Sequence, residues 1–220
     1  MELNEVLYTT RAMRRVTPDP IPDETIARIV DAGIRAPSGG NTQRWRFLFV
    51  RDAATKATLQ GWYRKGLDEL NATVYADLQR LLVEGDPDDP AVISGRRTNA
   101  SAQWLADNLH NVPLLLFAFG KPSGESSMFP ALWSMQLAAR AEGIGTSLTT
   151  LLFKYYKAEV LELLGAPPEG DWVPFAMVTF GVPTGRWGVA KRQPAHQVTY
   201  VDRWGSPPSW TVDQPLWPGT

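Results

Sequence analysis

Cysteine is absent from this chain of 220 residues, which removes disulfides, thiolate catalysis and cysteine-ligated metals. Histidine is scarce. His110 and His196 form no metal-like pair, no carboxylate pair or Ser/His/Asp arrangement stands out, and no metal site is expected. A formal charge of −1 lacks the basic excess of a nucleic-acid-binding protein. Long apolar runs are missing too: the longest uncharged stretch, Ser126 to Ala139, is too short and too polar to span a bilayer. Met1-Glu2-Leu3-Asn4-Glu5 shows no basic region ahead of an apolar run, so no signal peptide is expected and the chain reads as soluble and cytoplasmic. There is no internal repeat, no P-loop and no dinucleotide fingerprint. Gly143-Ile144-Gly145 follows a helical pattern and lacks the third glycine.

What is present suffices for one sizeable core, at 44% apolar residues. Leu3, Val6 and Leu7 predict a short helix ending near Arg11. Ile26, Ile29 and Val30 predict a second, opened by Pro22-Asp23-Glu24 and stopped by Pro37. Phe47 to Val50, Leu114 to Phe119 and Phe175 to Phe180 read as strands. Asp52 opens a helical region reaching Glu84 with a break near Gly66, and further helices are expected at Thr98–Asn111, Ser127–Ala141 and Tyr155–Leu164. Ser127–Ala141 is apolar on nearly every face and must be buried on several sides, in the core or against another subunit. Few strands among long helices make an α+β or α/β domain. From Val182 the tail carries Trp187, Trp204, Trp210 and Trp217; it either folds back on its own domain or wraps a partner subunit.

Four groups of residues can carry chemistry. Arg11, Arg14 and Arg15 are guanidinium forks suited to phosphate and carbonyl oxygens, sharing a face if that stretch is helical. Ala36-Pro37-Ser38-Gly39-Gly40-Asn41 offers approachable backbone N–H groups and an amide that both donates and accepts; it also serves as a plain helix-ending turn. Gly143 is placed as a helix C-cap ahead of Thr149-Thr150, and Arg186, Lys191 and Arg192 follow the last strand. Cations beside a Gly/Ser/Asn loop suit an anionic, planar, hydrogen-bonding ligand such as FMN. The missing acid–base apparatus agrees with hydride chemistry carried by a cofactor.

Thr10-Arg11-Ala12-Met13-Arg14-Arg15, Ala36 to Phe47, Gly143 to Thr150, and Gly181-Val182-Pro183 followed by Lys191-Arg192 together resemble the nitroreductase family of FMN-dependent oxidoreductases. The resemblance implies an α+β, three-layer fold with a mixed sheet flanked by helices, in an intertwined homodimer. Residues 1–205 would form one FMN-binding domain, and 206–220 an extension packing on the partner. It further implies that Thr10, Arg11, Ala12, Lys191 and Arg192 line the phosphate region, with Arg14 near flavin N1 and O2. Pro37, Ser38, Gly39 and Asn41 would lie against the ring and ribityl chain, with Thr149 and Thr150 at the N5/O4 edge. NADPH or NADH would reduce the flavin, and an electron-poor acceptor would reoxidise it.

Trp62, Tyr63 and Trp104, in a region expected to include a lid, would stack on the acceptor or else pack in the core. A flavin-sequestering protein and a flavin-destroying enzyme are the alternatives. Two departures stand out. Thr10-Arg11-Ala12 replaces the common Arg-Arg-Ser, and Gln43-Arg44-Trp45 replaces Gln-Pro-Trp. The related deiodinase branch clamps an amino-acid zwitterion with a Glu and a Tyr four residues later; no Glu here has a Tyr at that offset, so the resemblance does not extend to iodotyrosine as a substrate.

Overall fold

A computed structural model describes residues 1–167 and 170–217. The chain divides into two compact units, Ala12–Gly185 and Met1–Arg11 together with the chain from Arg186 onward.

The larger unit is built on a four-stranded sheet in the order β1-β2-β4-β3. Its strands are β1 (Trp45–Val50), β2 (Leu114–Gly120), β3 (Gly145–Thr149) and β4 (Val173–Gly181). Neighbouring strands are antiparallel throughout. The mixed sheet expected from the resemblance therefore reduces, among the described residues, to one isolated parallel bridge, Ala12 to Thr146, at the β3 edge. Only at this edge does the segment after the first helix run alongside a strand in its own direction.

β2 explains the layering. Its Leu115, Phe117 and Phe119 face one core, and Leu114, Leu116 and Ala118 face the other, so an unbroken apolar run is buried on both sides. On the first side lie α3 (Ala53–Ala72), α5 (Pro90–Asn108), α7 (Leu151–Tyr155) and α8 (Lys157–Leu163). On the second lie α2 (Asp23–Gly33) and α6 (Glu125–Ala141). The sandwich has the three layers expected. α4 (Ala76–Glu84) packs on α3 and α5 and leaves Leu78 and Leu81 exposed.

The break in the long helical region falls at Thr73–Tyr75, not at Gly66. Gly66 stays within α3 and faces α7, where a Cβ would make ordinary contact at 3.4 Å from the Tyr155 ring and 3.5 Å from Leu151. Gly143 caps α6 as expected. It sits at φ +76°, with its N–H on the Arg140 carbonyl and the Ile144 N–H on the Ala139 carbonyl. α6 turns Met128, Leu132 and Met135 into the core and leaves Phe129 and Trp133 about 40% exposed (38% and 42%).

In the smaller unit, α1 (Leu3–Thr9) is followed by the tail, where the Ala190 N–H donates to the Tyr8 carbonyl at 3.3 Å. Trp217 packs on Tyr8 with ring centroids 5.8 Å apart, and His196 Nδ1 accepts the Val212 N–H at 3.1 Å. Trp204 remains 92% exposed. Among the described residues, no helix is long and apolar enough to cross a membrane.

Candidate functional site

The expected residues fall into three groups. The first lies in the smaller unit. α1 ends at Thr9, where the Thr9 and Thr10 hydroxyls donate to the Glu5 and Val6 carbonyls, each at 2.6 Å. Arg11 leaves the helix exposed, with Nη2 donating to the Arg186 carbonyl at 2.9 Å. Lys191 and Arg192 are also exposed, and the Arg192 guanidinium folds onto the Lys191 carbonyl at 2.8 Å. No carboxylate forms an ion pair with Arg11, Lys191 or Arg192 among the described residues. Three cations, two of them tied to backbone carbonyls, suit an anion such as a phosphate.

The second group gathers at the β3 edge of the sheet. Arg14 is not helical: the chain here is extended. The Met13 N–H donates to the Thr146 carbonyl at 2.8 Å, the Thr17 N–H to the Val182 carbonyl at 2.8 Å, and Arg15 accepts from the Thr184 N–H at 3.1 Å. The shared helical face expected for Arg11, Arg14 and Arg15 is therefore absent, because edge pairing satisfies this backbone better than another turn of helix. Two glycines make room for it. A Cβ at Gly145 would meet Met13 at 2.8 Å, and one at Gly181 would meet Val16 at 2.6 Å.

Pinned this way, Arg14 is half-buried and its charge acts on Tyr63. Burial pushes the Tyr63 phenol above its ordinary range; the Thr149 hydroxyl and the Arg14 and Arg64 charges only partly offset this. Thr149 Oγ1 also accepts the Leu151 N–H at 3.2 Å, and Thr150 opens α7 by accepting the Phe153 and Lys154 N–H groups.

The third group is the loop before β1. The Asn41 N–H donates to the Ser38 carbonyl at 2.9 Å, and Ser38 Oγ accepts the Gln43 N–H at 3.2 Å. Gly40, Asn41 and Gln43 all hold positive φ (58°, 52° and 50°), the left-handed region that Gly and Asn tolerate best. Gln43 Nε2 occupies the Asn41 side-chain carbonyl at 3.2 Å, which leaves the Asn41 amide hydrogens to donate elsewhere. Nothing lies within 4 Å of where a Gly39 Cβ would be, so a flat ligand can approach the backbone there. Pro37 is exposed at the loop entrance.

The second and third groups do not meet within one chain. The loop enters β1 at one edge of the sheet, and Thr149 closes β3 at the other, three strand spacings or about 14 Å away. No hydrogen bond, ion pair or ring contact joins the loop to Arg14, Tyr63 or Thr149 among the described residues.

Of the aromatic residues expected on an acceptor, Tyr63 is buried at 5% exposure in the core and Trp62 packs against it, stacked on Tyr156 (6.2 Å, 11°). Trp104 is half-buried on α5. Sequence reasoning missed β3 altogether. The one available signal was Thr146-Ser147-Leu148-Thr149 directly after a capping glycine, β-branched but too polar and too short to stand out. A groove of about 640 Å³ between α2 and β1, floored by Ile26, Val30, Ile34 and Phe49, contains none of the candidate residues.

An NADH dehydrogenase from Thermus thermophilus is 34% identical over 99 residues, 43% of this chain and 48% of that one, so the match spans about half of that relative. A 5,6-dimethylbenzimidazole synthase from Rhodobacter capsulatus is 31% identical over 196 residues, 82% of this chain and 83% of that one. Among solved structures, an iodotyrosine deiodinase bound to FMN and 3-iodo-L-tyrosine superposes with a TM-score of 0.67 at 20% identity, over 93% of this chain and 100% of that one. The model of the nitroreductase family matches residues 7–182, which take in Arg11 and Arg14, the 37–43 loop and the β3–α7 turn. The three-layer fold and that match agree: this chain belongs to the nitroreductase family.

Proposed function

We propose that the protein is an FMN-dependent oxidoreductase. It takes a hydride from NADPH or NADH and passes it to an electron-poor acceptor (a nitroaromatic, quinone or activated alkene) in two alternating half-reactions. Bound FMN supplies the redox chemistry at its N5. The residues of this chain bind and orient it. Arg11, Lys191 and Arg192 hold the phosphate. Arg14 supplies positive charge at the N1/O2 edge, where it favours the reduced, anionic ring. The open Gly39 backbone, Ser38 and the free Asn41 amide hydrogens take the ring and ribityl chain, and the Thr149-Thr150 backbone takes the N5/O4 edge. The three groups contain no carboxylate or imidazole, and this reading asks for none.

The observation that carries the reading is the donor set: cations without carboxylate ion-pair partners among the described residues, a half-buried arginine, and a preformed loop with one accessible glycine face and one spare amide. The reading requires two copies of the chain, because the loop and the Arg14–Thr149 group occupy opposite edges of the sheet. The loop of one protomer then completes the site begun by Arg14 and Thr149 of the other. Exposed Phe129, Trp133 and Trp204 are the kind of apolar surface that such an interface covers.

In a second reading, reduced FMN and oxygen are themselves the substrates and the flavin is consumed. One observation favours it: the 31% identity, over four-fifths of both chains, to a protein named for making 5,6-dimethylbenzimidazole, whose dimethylated benzene ring is also part of a flavin. Aerobic turnover with excess NADPH separates the two. Under the reductase reading, total flavin stays constant over many turnovers of a quinone or nitroarene. Loss of flavin with appearance of the benzimidazole would replace that reading with the second.

A further inference from the structure

We propose that Ser127, in the first turn of α6, is a positioning residue: its hydroxyl holds the Gly39 N–H and so fixes how the 38–43 loop is presented to the flavin ring. The inference rests on the FMN reading above.

The loop's other hydrogen bonds are local. The Ser38 carbonyl and Oγ accept the Asn41 and Gln43 N–H groups, and the Gly39 carbonyl accepts the Thr42 N–H and hydroxyl. The Asn41 side-chain carbonyl accepts the Gln43 amide, and the Gln43 carbonyl accepts the Trp45 N–H at the start of β1. Among the described residues, the bond from the Gly39 N–H to Ser127 Oγ, at 3.2 Å, is the only one that ties residues 38–43 to a distant part of the chain. Asn41 and Gln43 stand in the left-handed region, which such side chains keep only where their surroundings impose it. Internal bonds set the loop's shape; Ser127 sets its place.

Ser127 can do so because its own turn is anchored. Just beyond β2, the Lys121 carbonyl accepts the Gly124 N–H at 3.0 Å, and the Gly124 carbonyl accepts the Ser127 and Met128 N–H groups at 3.1 and 2.9 Å. Met128, the next residue, is buried in the core against the sheet, and Phe129 meets Phe175 of β4 edge-on at 6.2 Å. The restraint thus runs from the sheet through α6 to the loop. With its N–H turned to Ser127, Gly39 meets a ligand through its open Cα face, and the spare Asn41 amide, two residues on, is placed along with it.

The test compares Ser127→Ala and Ser127→Thr with the wild type by FMN dissociation constant, visible spectrum of the bound flavin, and melting temperature without FMN. Ser127→Ala is expected to bind FMN about fivefold to tenfold more weakly, as the loss of one hydrogen bond implies, and to shift the bands of the flavin that does bind. Its melting temperature without FMN should stay within about 2 °C of wild type. The exposed Gly39 N–H passes to water, and alanine suits a helix better than serine. Ser127→Thr keeps the hydroxyl and should restore the wild-type affinity and spectrum. Wild-type affinity and spectrum in Ser127→Ala would overturn the inference, as would equal losses in the two variants. A melting temperature that falls further than stated would mark Ser127 as a residue of the fold and overturn it too. A wild-type protein that retains no FMN overturns the reading beneath it as well, and that outcome is visible before any variant is made.

Discussion

Arg14 owes its place to backbone pairing rather than to helix periodicity. From the sequence, Arg11, Arg14 and Arg15 stood out as residue types, and that much was legible because guanidinium forks suit few roles as well as anion binding. Their geometry was not legible, since the extended conformation of residues 12–17 depends on Thr146, Val182 and Thr184, far away in the chain. If Arg11 holds the FMN phosphate as proposed, Arg11→Ala should weaken FMN binding tenfold to a hundredfold, by roughly 1.5–3 kcal/mol, as read by fluorescence titration. Lys56 makes a separate prediction. Its Nζ donates to the Val112 carbonyl at 2.8 Å, and burial holds its ammonium below the ordinary 10.5. The folded protein sheds this proton at lower pH than the unfolded chain, so stability rises with pH between the folded value and the ordinary one. Lys56→Met should abolish that gain, as seen in urea midpoints compared at pH 8 and pH 10.

At the scale of elements, β2 and α6 were readable because they bury apolar side chains in runs that no other arrangement explains. β3 was not. Its Thr146 and Ser147 are buried polar residues, and only the partner strand β4 makes a strand of them. Gly145 illustrates the same limit, since it serves a close approach to Met13 that appears only once that neighbour is in place. Gly145→Val would drive a side chain into Met13 and Pro183 at contacts of 2.8 and 3.2 Å. It should destabilise the protein by about 1–3 kcal/mol and displace Arg14 with its segment. A lower melting temperature together with about tenfold weaker FMN binding is expected. A weaker fold with unchanged FMN affinity would separate Arg14 from the ring site.

For the whole molecule, the family and the three-layer fold were legible from four motifs in order. The separation of those motifs onto opposite sheet edges was not, because strand order is a property of the folded sheet. Under the proposed reading, that separation makes association part of the function. Sedimentation should show a species of twice 24.4 kDa, and Trp133→Glu, on the exposed face of α6, should shift it toward monomer with loss of bound flavin. A monomer that binds FMN as tightly as the dimer would remove the need for a second copy. The measurement that bears most directly on the central claim is the visible spectrum of the FMN-supplemented, purified protein before and after anaerobic NADPH or NADH. The account predicts flavin bands that co-purify with the protein and bleach on addition of one or both donors. Protein that retains no flavin, or flavin bands that resist both donors, would contradict it.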